Sequence, residues 1–170
     1  MHMKLRLLIP LFVFSPTYAA EPPSLLGSQW AKQACIAWNK DEQLTYELAD
    51  TWIENRKNPN SKVLQLYRDD CPDSPHIELQ LKLQDIQALC IYGGKDVHNT
   101  QLNDVDFVLH TSTAKWQEMG NSEYGPAQAL LYDRLHLEGS KQEALDHLTS
   151  FESFLLLIGK VPSITSCPKY

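Results

Sequence analysis

Ile77-Glu78-Leu79-Gln80-Leu81-Lys82-Leu83-Gln84-Asp85-Ile86-Gln87-Ala88-Leu89-Cys90-Ile91-Tyr92 is the stretch on which the fold turns. Its first half alternates apolar and polar residues, the period of a half-buried strand. Its residue types argue the other way. Leu, Glu, Gln and Lys are strong helix formers, and Ile86, Leu89 and Cys90 continue at helical spacing. Ser74-Pro75 upstream is a cap followed by a first-turn proline, and Gly93-Gly94 downstream is a helix stop. Period and composition disagree over Ile77 to Leu83. The reading adopted is a helix from Ser74 to about Tyr92.

The flanking sequence extends that reading. Leu26, Trp30, Ala34 and Trp38 recur at spacing four, the stripe of a first helix over 24–39. Asp41 caps a second helix carrying Leu44, Leu48 and Trp52, which Asn58-Pro59-Asn60 ends. Ser61 caps a short third helix with Val63, Leu64, Leu66 and Tyr67 as its apolar content. Asn103 or Asp104 opens a fifth, with Val105, Val108, Leu109 and Trp116, closed by Gly120. Pro126 starts a sixth through Leu130, Leu131 and Leu135 to Gly139. Ser140-Lys141-Gln142-Glu143 is a capping box that opens the last, ended by Gly159 and Pro162. The expectation is an all-α domain over 21–170, a bundle of about seven helices tied by two disulfides. The segment Gly125 to Leu148 resembles one unit of a tetratricopeptide or Sel1-type repeat, but no second copy follows at a fixed period.

The first twenty residues read as a secretory signal peptide. Lys4 and Arg6 precede an apolar run from Leu7 to Phe14, and small residues end at Ala19-Ala20. The run is too short for a permanent membrane span. Cleavage at Ala19 or Ala20 leaves about 150 residues, enough for one domain with a real core. The mature chain is then expected to be soluble and periplasmic, without membrane insertion. Loss of Lys4 and Arg6 takes the formal charge from −6 to about −8. That balance disfavours nucleic acid and suits a basic protein partner.

Four cysteines remain: Cys35, Cys71, Cys90 and Cys167. An exported chain with an even count is expected to pair them, and none of the spacings is C-x-x-C. In an up-and-down bundle, the third helix brings Cys71 back to the end where Cys35 lies. The fourth takes Cys90 to the other end. The expected bonds are therefore Cys35–Cys71 and Cys90–Cys167.

Catalytic patterns are sparse. His76, His98, His110, His136 and His147 lack the spacing that puts two imidazoles on one helix face, and they read as scattered surface histidines. Neither a metal nor a cofactor is expected, and no catalytic residue is assigned. Glu123-Tyr124-Gly125-Pro126-Ala127-Gln128-Ala129 resembles the glutamate-led helix start of lytic transglycosylases, which makes Glu123 the residue to test if the chain is a peptidoglycan hydrolase. A periplasmic scaffold is a further alternative. Acidic residues gather at Asp69, Asp70 and Asp73 and again at Asp104 and Asp106. These, with Glu123 and Tyr124, are the candidate partner-binding residues.

Behind the leader, Trp30 to Trp38 (WAKQACIAW) and Leu44 to Glu54 (LTYELADTWIE) resemble the periplasmic immunity proteins of type VI secretion. The nearest class is the helical one that neutralises peptidoglycan amidase effectors. In that class a cysteine sits in the first mature helix and another in a later one, as in Ile86 to Gly94 (IQALCIYGG) here. The resemblance spans the first half of the mature chain. It implies a non-enzymatic inhibitor that occludes a secreted, basic, cell-wall-degrading toxin.

Overall fold

The alternation, not the composition, governs Ile77 to Tyr92. In the computed structural model, which describes residues 21–56, 61–97, 102 and 104–167, this stretch is a β-hairpin. Ile77, Leu79 and Leu81 on β2 (Ile77–Gln84) are fully buried on one face, and Glu78 and Gln80 point to the other. Asp85, at φ 52, makes the turn into β3 (Gln87–Lys95), a left-handed position that Asp tolerates. The two strands pair antiparallel, and Ile91 is an extra residue, since Gln80 faces Tyr92 while Leu81 faces Cys90. The bulge turns both Cys90 and Gly93 toward the helices.

The other strands are hidden in the sequence for a different reason. β1 (Lys62–Arg68) is buried along almost its whole length, on both faces. Such a strand shows no clean apolar–polar alternation, and periodicity cannot distinguish it from a short buried helix. It occupies the centre of a five-stranded mixed sheet of order β3-β2-β1-β4-β5. β1 runs parallel to β4 (Phe107–Thr111), and the other pairs are antiparallel, including β4 with β5 (His136–Glu138).

Seven helices among the described residues complete the fold, but the architecture is α/β and not the expected all-α bundle. α1 (Ser28–Trp38) matches the first expected helix and buries Trp30, Ala34 and Trp38. The second is split into α2 (Glu42–Tyr46) and α3 (Thr51–Glu54), capped by Asp41 and Asp50. The third and fourth are strands. The fifth is β4 followed by α4 (Thr113–Gly120), and the sixth is α5 (Pro126–Leu131) followed by β5. The last breaks at His147 (φ −120, ψ 41) into α6 (Lys141–Asp146) and α7 (Leu148–Lys160). The repeat-like segment from Gly125 to Leu148 therefore contains a strand, which a helical hairpin does not.

The helices lie on one face of the sheet. α1 packs on β3 and β2, and α7 packs on α4, α2, α5 and α1. Gly93 is not a helix stop but a contact point. A Cβ there would lie 2.2 Å from the carbonyl oxygen of Ala31 and 2.8 Å from the Cβ of Cys35. Only glycine lets α1 lie this close, and the approach sets Cys35 against Cys90. The disulfides are accordingly Cys35–Cys90 and Cys71–Cys167, which corrects the expected pairing. The helical path that would bring Cys71 to Cys35 does not exist, because β1 carries the chain along the sheet and Cys71 follows its far end. There it holds the C-terminal segment, whose Ile164 bridges to Ser24. The leader lies outside the described residues. Among those described, no helix is long and apolar enough to cross a membrane.

Candidate ligand-binding cavity

Between the sheet and the C-terminal helices the core does not close completely. Leu64 of β1, Phe107 and Leu109 of β4 and Leu137 of β5 form the floor of a cavity. Trp38, Leu48 and Trp52 wall one side. Ala144, His147, Ser150, Phe151 and Phe154 from α6, α7 and their junction wall the other. The room it leaves is about 40 Å³. A single water needs about 10–15 Å³ on this measure, so the space is a small void, and its wall is mostly apolar.

The wall residues are held in place. Trp38 donates its indole N–H to the carbonyl of Ala88 at 2.8 Å and tilts against Phe154. The Trp52 and Phe107 rings stack at 6.2 Å, as do Phe151 and Phe154 at 6.0 Å. Ser150 turns its hydroxyl outward, donating to the carbonyl of Gln43 at 3.2 Å. The wall is thus aromatic and held in place, and a ligand larger than the void has to displace it.

Beside the mouth runs a polar groove. Trp52 and His147 line both spaces, and Thr51, Asn55, Ser140, Gln142, Glu143 and Asp146 line the groove. Ser140 caps α6 as its sequence suggests, accepting from the amide of Glu143. The Glu143 carboxylate does not complete the capping box. It reaches inward and accepts from the Lys62 ammonium at 2.6 Å. Lys62 is fully buried and lies 4.6 Å from the Trp52 ring centroid and 5.1 Å from that of Phe107. Burial pulls its pKa below the ordinary lysine value, opposed by the charges of Glu143 and Asp106.

The acidic residues singled out in the sequence do not converge. Asp69 and Asp70 follow the end of β1, and the Asp69 carboxylate accepts from His110 Nδ1 at 2.7 Å. Asp70 accepts from the backbone and hydroxyl of Thr113, at 2.9 and 2.8 Å. Burial works to raise its pKa, but these bonds and the nearby Arg68 charge outweigh it and leave the carboxyl below its usual range. Asp73 is exposed in the same loop. Asp106 is at the opposite end of the strands, 4 % exposed, and accepts from the Val63 amide at 2.8 Å. Asp104 is exposed nearby, and Asn103 lies outside the described residues. Glu123 is exposed in the turn between α4 and α5, away from the cavity wall. Tyr124 beside it is buried, its hydroxyl donating to Glu118 at 3.0 Å, with Arg134 over its ring. Burial and Glu118 raise its pKa.

The outer face of the sheet carries a row of rings. His76, Tyr67, His110 and His136 stack in sequence across neighbouring strands, with centroids 4.0, 4.5 and 4.9 Å apart. Three of the five histidines beyond the first twenty residues are therefore not scattered but joined in one ladder. Only strand register reveals it, since Tyr67 pairs with His110 and His110 with His136. Among the described residues no group of His, Cys, Asp or Glu is arranged to hold a metal ion.

No family model matches the chain, and no curated protein matches it. Solved structures do. One is the solution structure of TT1886 from Thermus thermophilus, a conserved hypothetical protein described as a candidate sterol carrier protein. It is 21 % identical, with a TM-score of 0.53, over 88 % of this chain and 97 % of that one. Another is a crystal structure of sterol carrier protein 2, 20 % identical with a TM-score of 0.52, over 82 % and 100 %. The mixed sheet and this likeness overturn the resemblance to helical immunity proteins. They also remove the toxin-inhibitor, hydrolase and scaffold readings, which were built on a helical chain. The chain has the fold of sterol carrier protein 2.

Proposed function

We propose that this protein binds an apolar or amphiphilic lipid in the cavity between its sheet and α6–α7 and carries it without altering it. The observation that carries this reading is the aromatic and aliphatic wall around a void of about 40 Å³ at the seam between the sheet and α6–α7, which a ligand would widen by parting the C-terminal helices. Burying a hydrocarbon chain there contributes about 0.8 kcal/mol per methylene. A chain of about a dozen methylenes exceeds the void, so part of that gain is offset by moving the wall. The carrier names borne by two structural neighbours of the same fold are consistent with it. In this reading no bond is made or broken, so the protein is not an enzyme. We place it in an oxidising compartment outside the cytoplasm, a reading supported by its leader-like first twenty residues and its two disulfides.

The test is a titration of the mature protein with the fluorescent sterol dehydroergosterol and with pyrene-labelled hexadecanoic acid. Transfer of excitation from Trp38 and Trp52, both in the wall, reports occupancy. Saturation at one ligand per chain, lost in Ala144→Phe, is the expected result. Absence of saturable binding, or binding that the filled cavity leaves unchanged, would overturn the reading.

A further inference from the structure

The outer face of the sheet, turned away from the helices, carries a larger opening than the void behind it. A trough with room for about 360 Å³ runs over the central strands, within the size range of small-molecule sites. Strand register gives it its shape. Gln65 of β1 pairs with Val108 of β4, and Val108 pairs with Glu138 of β5, so the three stand in one row. Two long polar side chains flank a short apolar one, and β1 and β5 lie about 10 Å apart across β4. His76 and Tyr67, stacked on each other, close one end of the trough.

The two flanks differ in chemistry. On one side stands the exposed carboxylate of Glu138, with Asp104 and Asp106 beyond it, and no Lys or Arg lines the trough among the described residues. Asp106 already accepts from the Val63 amide, so only its charge counts here. The field reaches the Tyr67 phenol, whose pKa is raised by burial first and then by the charges of Asp69 and Glu138. On the other side stands a neutral donor. Gln65 is 2 % exposed, yet its amide nitrogen has no acceptor. Its cross-strand neighbour Glu78 accepts instead from the Gln80 amide at 2.6 Å. A buried N–H left unpaired is costly and uncommon, and here it borders an open space that could supply a partner.

We propose that this trough is a second binding site, for a small organic cation whose primary ammonium is joined by a short hydrocarbon chain to a carbonyl or hydroxyl oxygen. The ammonium sits at Glu138, in the field of Asp104 and Asp106. The oxygen accepts from Gln65, and the methylenes cross Val108. About five methylenes fit between flanks that a single strand separates. An anion is repelled by the carboxylates, and a chain without an oxygen leaves Gln65 unpaired. The trough shares no lining residue with the void behind the sheet, so this site is independent of the lipid reading.

The experiment titrates the isotope-labelled mature protein at pH 7 with 6-aminohexanamide, hexylamine and hexanamide, following backbone amide shifts by NMR. Both amines are fully charged at that pH. 6-Aminohexanamide should bind saturably, with shifts centred on Gln65, Val108 and Glu138. It should bind about fivefold more tightly than hexylamine, the scale of one neutral hydrogen bond. Hexanamide, which lacks the charge, should also bind more weakly. Glu138→Gln should weaken 6-aminohexanamide and leave hexanamide unchanged, and Gln65→Leu should abolish the advantage over hexylamine. Should either variant fail to fold, the comparison of the three probes in wild type still decides the matter. Equal affinity for 6-aminohexanamide and hexylamine would overturn the proposal. So would the absence of saturable shifts at these positions, or shifts centred on the void instead.

Discussion

Gly120 and Gly159 meet backbone to backbone where α4 crosses α7. A Cβ on Gly159 would stand 2.3 Å from the carbonyl oxygen of Gly120, and one on Gly120 would stand 2.7 Å from the amide nitrogen of Gly159. Both obstacles are main chain, so neither can turn aside. Both glycines read from the sequence as helix ends, and their shared role is to let two helices touch.

Gly159→Ala should therefore destabilise the protein, although alanine is the better helix former. Overpacking of this kind costs about 1–3 kcal/mol. Thermal unfolding followed by circular dichroism would read it as a lowered Tm. A stability equal to or above wild type would show that α4 and α7 can separate freely.

Asp70 gives the fold an acid-sensitive contact. Its carboxyl is held below its ordinary pKa by bonds from Thr113 at the start of α4. A carboxyl with a lowered folded-state pKa stabilises the fold above its unfolded value, near 3.9, and that contribution fades as pH falls toward the folded value. Urea unfolding between pH 6 and 2.5 should show wild type losing stability below about pH 4. Asp70→Asn should be less stable than wild type at pH 6, with a gap that narrows toward pH 2.5. A gap that stays constant over this range would mean that the charge on Asp70 is not what matters.

The two disulfides constrain different parts of the chain. Cys35–Cys90 closes 55 residues and fixes α1 to β3, while Cys71–Cys167 closes 96 and fixes the C-terminal segment. Loss of either should cost about 2–5 kcal/mol. The consequences differ locally. Arg68, buried, donates to the carbonyl of Thr165 at 2.8 Å in the segment that Cys167 anchors. The pair Cys71→Ser with Cys167→Ser should therefore speed amide exchange in that segment, and Cys35→Ser with Cys90→Ser should not. Equal protection there in both variants would assign the anchoring to the Ser24–Ile164 bridge instead.

What is legible in the sequence follows from which signals are local. α1 is readable because Trp30, Ala34 and Trp38 share one face and nothing else competes. The Asp41 and Ser140 caps are readable because they act within three residues. The sheet is misread because its evidence is long-range. Leu79 and Leu81 look like helix formers until β1 and β3 lie on either side of β2. Val63 to Leu66 carry no alternation because both faces are covered. Once the strands are taken for helices, the bundle geometry misdirects the disulfides. The cavity cannot be foreseen, since its wall draws on residues from Trp38 to Phe154 that only the sheet brings together. Lys62 carries one cue, a charge beside an apolar run, but it reads equally as the polar edge of a short helix.

The Lys62–Glu143 pair predicts an asymmetry between its two deletions. Glu143 sits near the surface, 12 % exposed at its side chain, and can turn to water once Lys62 is gone. Lys62→Met then fills the space between Trp52 and Phe107 with an apolar chain, at the expense of two unpaired carbonyls. Glu143→Ala instead strands an ammonium in the core, and removing one partner of a buried pair costs about 3–5 kcal/mol. Glu143→Ala should accordingly be the less stable variant at neutral pH. Its deficit should also shrink as pH rises. With Glu143 gone, burial of Lys62 is opposed only by more distant charge, so its folded pKa falls further below the ordinary value. The unfolded chain then binds more protons than the folded one up to about pH 10.4, and stability relative to wild type climbs through that interval. Urea unfolding of both variants at pH 7 and pH 9.5 would check this, and a deficit independent of pH would mean that Lys62 finds another counter-charge.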